Sequence, residues 1–231
     1  LLVFSHGFTG TPEAYAALAA EVARHGYVVA APRYPLSSRD APGGPTIADL
    51  ANQPADASFV IDRTIAAGRS GPGWLAGLVD AHRVAAGGHS LGAMTTYGLT
   101  YNGCCRDPRV DAAVVLAGFA GGFEGAWFEG PAVPLLAIHG DADRTVAYEL
   151  GVRAFESAKP PKFLVTILGG DHSADMHGGD APGQRLVERA IVDFLDAYLR
   201  DDPGALARLR AVADRPGLAS LRAEDASRPG P

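Results

Sequence analysis

Six short apolar runs, separated by helical patterns, constrain the fold of this chain more than any other feature. They lie at residues 1–5, 27–31, 83–88, 110–116, 134–139 and 162–168. Each is mostly apolar and continuous rather than alternating, as expected of strands covered on both faces. The intervals carry helix signatures. Thr11-Pro12-Glu13 opens a stretch that runs to His25 and Gly26. It sets a capping residue, a first-turn proline, an early acid and a closing glycine in helical order. Residues 56–67, 147–158 and 184–199 read as further helices, the last with Leu186, Ile191, Phe194, Leu195 and Tyr198 on one face. Strands alternating with helices predict an α/β fold: a doubly wound, mainly parallel sheet flanked by helices.

The 231 residues are enough for a sizeable core. A main α/β unit is expected over 1–200. A C-terminal helix and tail are expected over 201–231, with one short helix at 203–213 and fraying beyond it. Gly/Pro/Ser-rich loops are expected at 33–45 and 68–73. The net charge of −6 leaves no basic footprint for nucleic acid. No run of 18 apolar residues is present, so no membrane span is expected in this stretch. Cys104 and Cys105 are neighbours. A bridge between neighbours is strained, so two thiols are expected, and they do not fix a compartment. The chain opens inside an apolar strand at Leu1-Leu2-Val3, without Met. It reads as a fragment whose first strands and any targeting segment lie upstream, which leaves localisation open.

Gly88-His89-Ser90-Leu91-Gly92 is a G-x-S-x-G string set between the strand-like run 83–87 and the helix-compatible run 93–99. A serine at a sharp strand-to-helix turn holds its hydroxyl above the sheet, and the glycines let the backbone turn without Cβ clashes. The helix that follows points its first amides at the place where negative charge would develop. The string alone is weak evidence, so its partners matter.

A serine nucleophile needs a base, and the base needs an orienting acid. Downstream, the run 134–139 ends in His139-Gly140-Asp141-Ala142-Asp143, and the run 162–168 ends in Gly169-Gly170-Asp171-His172. Both groups sit just past strand ends, where open α/β sheets place ligands. On spacing alone Asp141 competes with Asp143 as the acid, and His177 with His172 as the base. His6 and His139 also follow strands and are expected to hydrogen-bond loop backbone. Asp171, His172, Asp175 and His177 fit no strong metal-site spacing, so no metal is expected.

These motifs resemble the α/β-hydrolase superfamily, in particular capless serine esterases of the dienelactone-hydrolase, chlorophyllase and cutinase-like polyesterase group. The likeness covers nearly the whole chain. The nucleophile elbow falls on Gly88–Gly92, and the acid loop H-G-x-x-D-x-x-V falls on 139–146, which puts the acid at Asp143. The G-x-x-H turn falls on Gly169–His172, and the oxyanion strand end on Ser5-His6-Gly7-Phe8. The resemblance implies Ser90 as nucleophile, His172 as base and Asp143 as its acid. It implies the N–H groups of Phe8 and Leu91 as oxyanion hole, and Phe8, Leu91 and Phe119 as substrate contacts. Dienelactone hydrolases carry Cys where this chain carries Ser90, which weakens that substrate. Only residues 118–133 separate two strands at the usual site of a cap, so no cap domain is expected. Phe119, Phe123, Trp127 and Phe128 in that stretch suit an aromatic-rimmed open site, with packing at the sheet edge the alternative for Trp127 and Phe128.

The implied activity is hydrolysis of small-molecule or polymeric carboxylic esters by a monomer without a cofactor. A lipid or platelet-activating-factor-type acetylhydrolase, a thioesterase, and a catalytically silent binding protein of this fold are the alternatives.

Overall fold

The computed structural model describes residues 1–69, 73–173 and 175–225. Seven strands form one sheet: β1 (Leu2–Ser5), β2 (Val29–Ala30), β3 (Val84–His89), β4 (Val110–Leu116), β5 (Leu135–Gly140), β6 (Lys162–Ile167) and β7 (Ala219–Glu224). Their order is β2-β1-β3-β4-β5-β6-β7. The first six are parallel, and β7 joins β6 antiparallel. All six apolar runs thus become strands, within a residue or two at most ends.

Helices α1 (Ala16–Arg24), α2 (Gln53–Arg69), α3 (Leu91–Tyr101), α4 (Tyr148–Ser157), α5 (Pro182–Leu199) and α6 (Ala205–Ala213) cover both faces. The two-residue period of a strand divides the core between them. Leu2, Phe4, Val114, Leu136, Phe163 and Val165 face α1, α5 and α6. Their neighbours Val3, Ala86, Val115, Leu135 and Leu164 face α2, α3 and α4. Helix α3 is buried almost all round. Its Thr95 and Thr96 hydroxyls therefore satisfy themselves on the carbonyls of Leu91 and Gly92 one turn back.

Three expectations are corrected, and one element is added. Thr11 does not cap the first helix; its hydroxyl bonds the Glu13 carboxylate instead, and the segment Pro12–Tyr15 is a 3-10 turn leading into α1. The loop at 33–45 is followed by a further 3-10 turn, Ile47–Ala51. The tail does not fray after 213: Arg215 to Leu218 turn back, and β7 covers the edge of β6. Cys104 and Cys105 are not thiols but a disulfide between neighbours. They lie in the tight turn after α3, where the Asn102 side chain accepts from the Cys104 N–H at 2.8 Å. The 68–73 loop and the tail fall partly outside the described residues, at 70–72 and 226–231.

The strand order reverses between β1 and β3, since the chain steps from β1 to β2 and then crosses to the other side. Such a switch point opens a crevice at the carboxyl ends of the strands. Ser5-His6-Gly7 and His89-Ser90 leave the sheet there, side by side. Between β4 and β5, residues 117–134 hold no helix or strand, only an isolated bridge from Trp127 to Asn102, so nothing there forms a helical cap.

Gly92 sets how closely α3 approaches β1. A Cβ at Gly92 would overlap the carbonyl group of Ser5 and lie 2.7 Å from the His6 oxygen. In an open helix Gly→Ala gains about 1 kcal/mol. Here the neighbours are backbone, so we expect Gly92→Ala to lose at least about 2 kcal/mol. Urea unfolding of the purified variant checks the sign.

Candidate active site

The turn from β3 into α3 forces Ser90 into φ +56°, ψ −116°, a region costly for any residue with a side chain. The Ser90 N–H stays on the sheet, donating to Leu116 O at 2.9 Å. The strain thus sits at one residue and lifts its hydroxyl off the strand end. Gly88 allows the tight return, because a Cβ there would overlap the Gly92 backbone and stand 2.9 Å from Ser5 O.

Ser90 Oγ lies 2.9 Å from His172 Nε2, and His172 Nδ1 lies 2.7 Å from Asp143 Oδ2. A carboxylate can only accept, so Nδ1 carries the proton and Nε2 offers its lone pair to the serine hydroxyl. Asp143 is held by four bonds. Oδ1 accepts from the N–H groups of Thr145 (2.8 Å) and Val146 (2.9 Å). Oδ2 takes His172 and, at 3.1 Å, His139 Nε2. Burial pushes this carboxyl up, but the bonds from His172 and the two amides outweigh it and hold the pKa below the usual carboxylate value.

Asp141 points elsewhere, accepting the Gly169 N–H at 2.6 Å and so tying the acid loop to the base loop. His177 makes no bond to Ser90; its ring stacks edge-on to Tyr15 with centroids 4.8 Å apart. The structure thus brings together Ser90, His172 and Asp143, and leaves Asp141 and His177 beside them in other roles. Asp171, His172, Asp175 and His177 do not converge on a common point: no group of three or more metal-ligating side chains is found among the described residues.

The loop after β1 is fixed by His6. Its Nε2 accepts the Tyr34 N–H at 3.1 Å, so Nδ1 carries the proton and donates to Gly7 O at 2.8 Å. Gly10 N–H donates to the same oxygen. With the Gly7 carbonyl pinned, the trans peptide turns the Phe8 N–H the opposite way. Among the described residues, the N–H groups of Phe8 and Leu91 meet no protein acceptor. The Phe8 side chain is 39% exposed, whereas Leu91 is buried and has chiefly its amide to offer. Phe119 lies further along, lining an open groove of about 420 Å³ with Trp127, Phe128, Leu150 and Arg153. Trp127 and Phe128 also pack on the core around Tyr97 and Tyr101.

Sequence reasoning passed over two site neighbours, Tyr15 and His89. His89 Nδ1 lies 2.7 Å from Tyr15 Oη, and His89 Nε2 lies 2.8 Å from His172 O. Burial drives the His89 pKa down to about 3. Burial also lowers His6, His139 and His177.

The fold and the crevice define a class: an α/β protein with Ser90, Asp143 and His172 gathered on loops at one end of a mainly parallel sheet. A family model described as platelet-activating factor acetylhydrolase, isoform II, matches residues 1–41, the stretch that holds β1, the Ser5–Phe8 loop, α1 and β2. The match and the mainly parallel sheet fit a hydrolase of the α/β-hydrolase type and suggest ester substrates. A search of curated proteins finds no match.

The buried neutral imidazoles make stability pH-dependent. Unfolded histidine titrates at about 6.5, while folded His89 does so at about 3. Between these values the unfolded chain binds a proton that the folded chain does not. Stability is therefore complete above ~6.5 and falls as pH drops, by up to about 1.4 kcal/mol per pH unit for this one group. We expect urea-unfolding free energies to decline from pH 7 to pH 5, and His89→Gln to remove about one proton from that slope. A profile flat over this range would contradict the burial of neutral histidine.

Proposed function

We propose that this protein is a serine hydrolase that cleaves carboxylic esters through an acyl-enzyme. The hydrogen-bonded chain Ser90–His172–Asp143 at the β1/β3 crevice is the observation that carries the reading. Ser90 Oγ attacks the acyl carbon while His172 Nε2 takes its proton. Asp143 stabilises the imidazolium that forms and keeps the ring in the productive tautomer. The N–H groups of Phe8 and Leu91 receive the oxyanion. His172 then gives the proton to the departing alcohol. Water attacks the acyl-enzyme by the same route and restores Ser90. No step calls on a metal or an organic cofactor.

The absence of a helical cap between β4 and β5 and the exposed Phe8 favour acyl groups or polymer chains that a lid would exclude. The family match over residues 1–41 favours a second reading, an acetylhydrolase acting on a lipid ester. A panel of aryl esters of rising acyl length, a polyester film and an sn-2-acetyl phosphoglyceride separates the two. Hydrolysis confined to the phosphoglyceride selects the second.

Ser90→Ala is expected to lower kcat on the order of 10⁴–10⁶ and to abolish fluorophosphonate labelling. A wild-type chain that neither labels nor hydrolyses any ester would instead be a silent member of this fold.

The two carboxylates of the acid loop separate the chemistry from the scaffold. Asp143→Asn should cost about 10⁴ in kcat by favouring the wrong tautomer of the base. Asp141→Asn loses mainly the bond to Gly169, worth about 0.5–1.5 kcal/mol of stability. Measuring kcat and Tm for both variants tests the assignment, and the reverse pattern would move the acid to Asp141.

A further inference from the structure

The groups around Ser90 come from loops with different anchors. Residues 6–8 follow β1, whereas His172 lies in the stretch between β6 and α5, four strands further along the sheet. Acyl transfer needs the base and the oxyanion donor fixed together to a fraction of an ångström. The sheet alone does not fix this stretch, whose Gly169, Gly178 and Gly179 have φ of +69°, +81° and +134°.

One buried chain of hydrogen bonds spans the gap. Gly7 N–H donates to Tyr15 Oη at 3.2 Å, and Tyr15 Oη lies 2.7 Å from His89 Nδ1. His89 Nε2 lies 2.8 Å from the carbonyl of His172. The protons have one consistent arrangement. A carbonyl only accepts, so Nε2 carries hydrogen; the neutral ring then accepts at Nδ1; Tyr15 gives its proton there and keeps a lone pair for Gly7. Tyr15 is 3% exposed and His89 4%, so neither exchanges these bonds for water. Helix α1 braces the same junction: Leu18 N–H donates to His177 O at 3.3 Å, and Gly178 lies against the Leu18 backbone. The His89 ring also rests 4.8 Å from that of His172, centroid to centroid.

We propose that Tyr15 and His89 are positioning residues, and that their hydrogen-bonded chain sets the His172 loop and the Gly7–Phe8 peptide as one unit about Ser90. The proposal rests on the reading of Ser90, His172 and Phe8 given above. Neither side chain touches substrate in it. Removing the Tyr15 hydroxyl leaves Gly7 N–H without this acceptor, and cutting the chain at either residue loosens the coupling of the two loops, leaving the α1 brace to hold the junction. The geometry of the transition state suffers more than the binding of the ester.

The experiment compares Tyr15→Phe, His89→Leu, His89→Gln and the double variant Tyr15→Phe/His89→Leu on an aryl ester that the wild-type chain hydrolyses. Tyr15→Phe and His89→Leu are expected to lower kcat roughly 10- to 100-fold with KM within about twofold, and to slow fluorophosphonate labelling of Ser90 by a similar factor. His89→Gln retains an amide N–H for the His172 carbonyl and should recover most of the loss. The double variant should be little worse than the poorer single one, as for two links of one chain. Wild-type kcat and labelling in Tyr15→Phe and His89→Leu would overturn the proposal. So would losses that multiply in the double variant, or that vanish when the assay temperature is lowered below each variant's melting range. If His89→Leu does not fold, Tyr15→Phe, which removes a single oxygen, decides alone. A wild-type chain that neither labels nor hydrolyses overturns the underlying reading, whereas an active wild type with indifferent variants overturns only the positioning role.

Discussion

The site depends on a contact of backbone on backbone, where the first turn of α3 presses on the end of β1. Gly92 meets the carbonyls of Ser5 and His6, and Gly88 is wedged between the Gly92 and Ser5 backbones. No side chain fits in this space, so the distance between the two strand ends is set by main-chain atoms alone. The consequence reaches the chemistry directly. The strained serine and the loop that would offer an oxyanion donor are registered by the sheet's own ladder, Ser5 opposite Gly88. Core variation on the outer helices can shift side chains without moving this pair.

Around that fixed pair the structure puts polar groups in buried places and makes each one count. Histidines 6, 89 and 139 are all nearly inaccessible, and all three bond loop backbone. Burial holds them neutral, and a neutral imidazole is both donor and acceptor. It can therefore bridge two segments that a hydroxyl or an amide would join less rigidly. His172 differs: its side chain is 17% exposed and meets Ser90, while its acid partner Asp143 is sealed. The same residue type thus acts as a girder where it is dry and faces the crevice where it is wet.

The sheet was largely legible because its parallel strands are covered on both faces. Val110–Leu116 and Lys162–Ile167 read as continuous apolar runs, a pattern that few other elements imitate. Strand β7 escaped for the opposite reason. Ala219–Glu224 lies at the edge with one face wet, so its residues alternate and its composition resembles a polar tail. Ser90, Asp143 and His172 were legible as positions, because each follows a strand end within a short motif, and the fold does bring them into contact. Tyr15 and His89 were not. Tyr15 reads as one more apolar-face residue at a helix start, and His89 occupies a variable place in the G-x-S-x-G string. Their partnership spans 74 residues, a separation that no local pattern reports.

That asymmetry follows from how such a site is built. The three residues that would react must each stand at a strand end, and strand ends have sequence signatures. The residues that hold the loops in register need only be buried and correctly spaced in three dimensions. Their signature is a polar group on an otherwise apolar surface, which looks in sequence like any tolerated core tyrosine or histidine. The buried Asp49 Oδ2 and Tyr97 hydroxyl, which meet no partner among the described residues, carry the same ambiguity in the structure itself. A buried polar atom costs about 1–3 kcal/mol unless something answers it. At Tyr15 and His89 the structure identifies every answering group, and this separates them from polar residues that merely survive in the core.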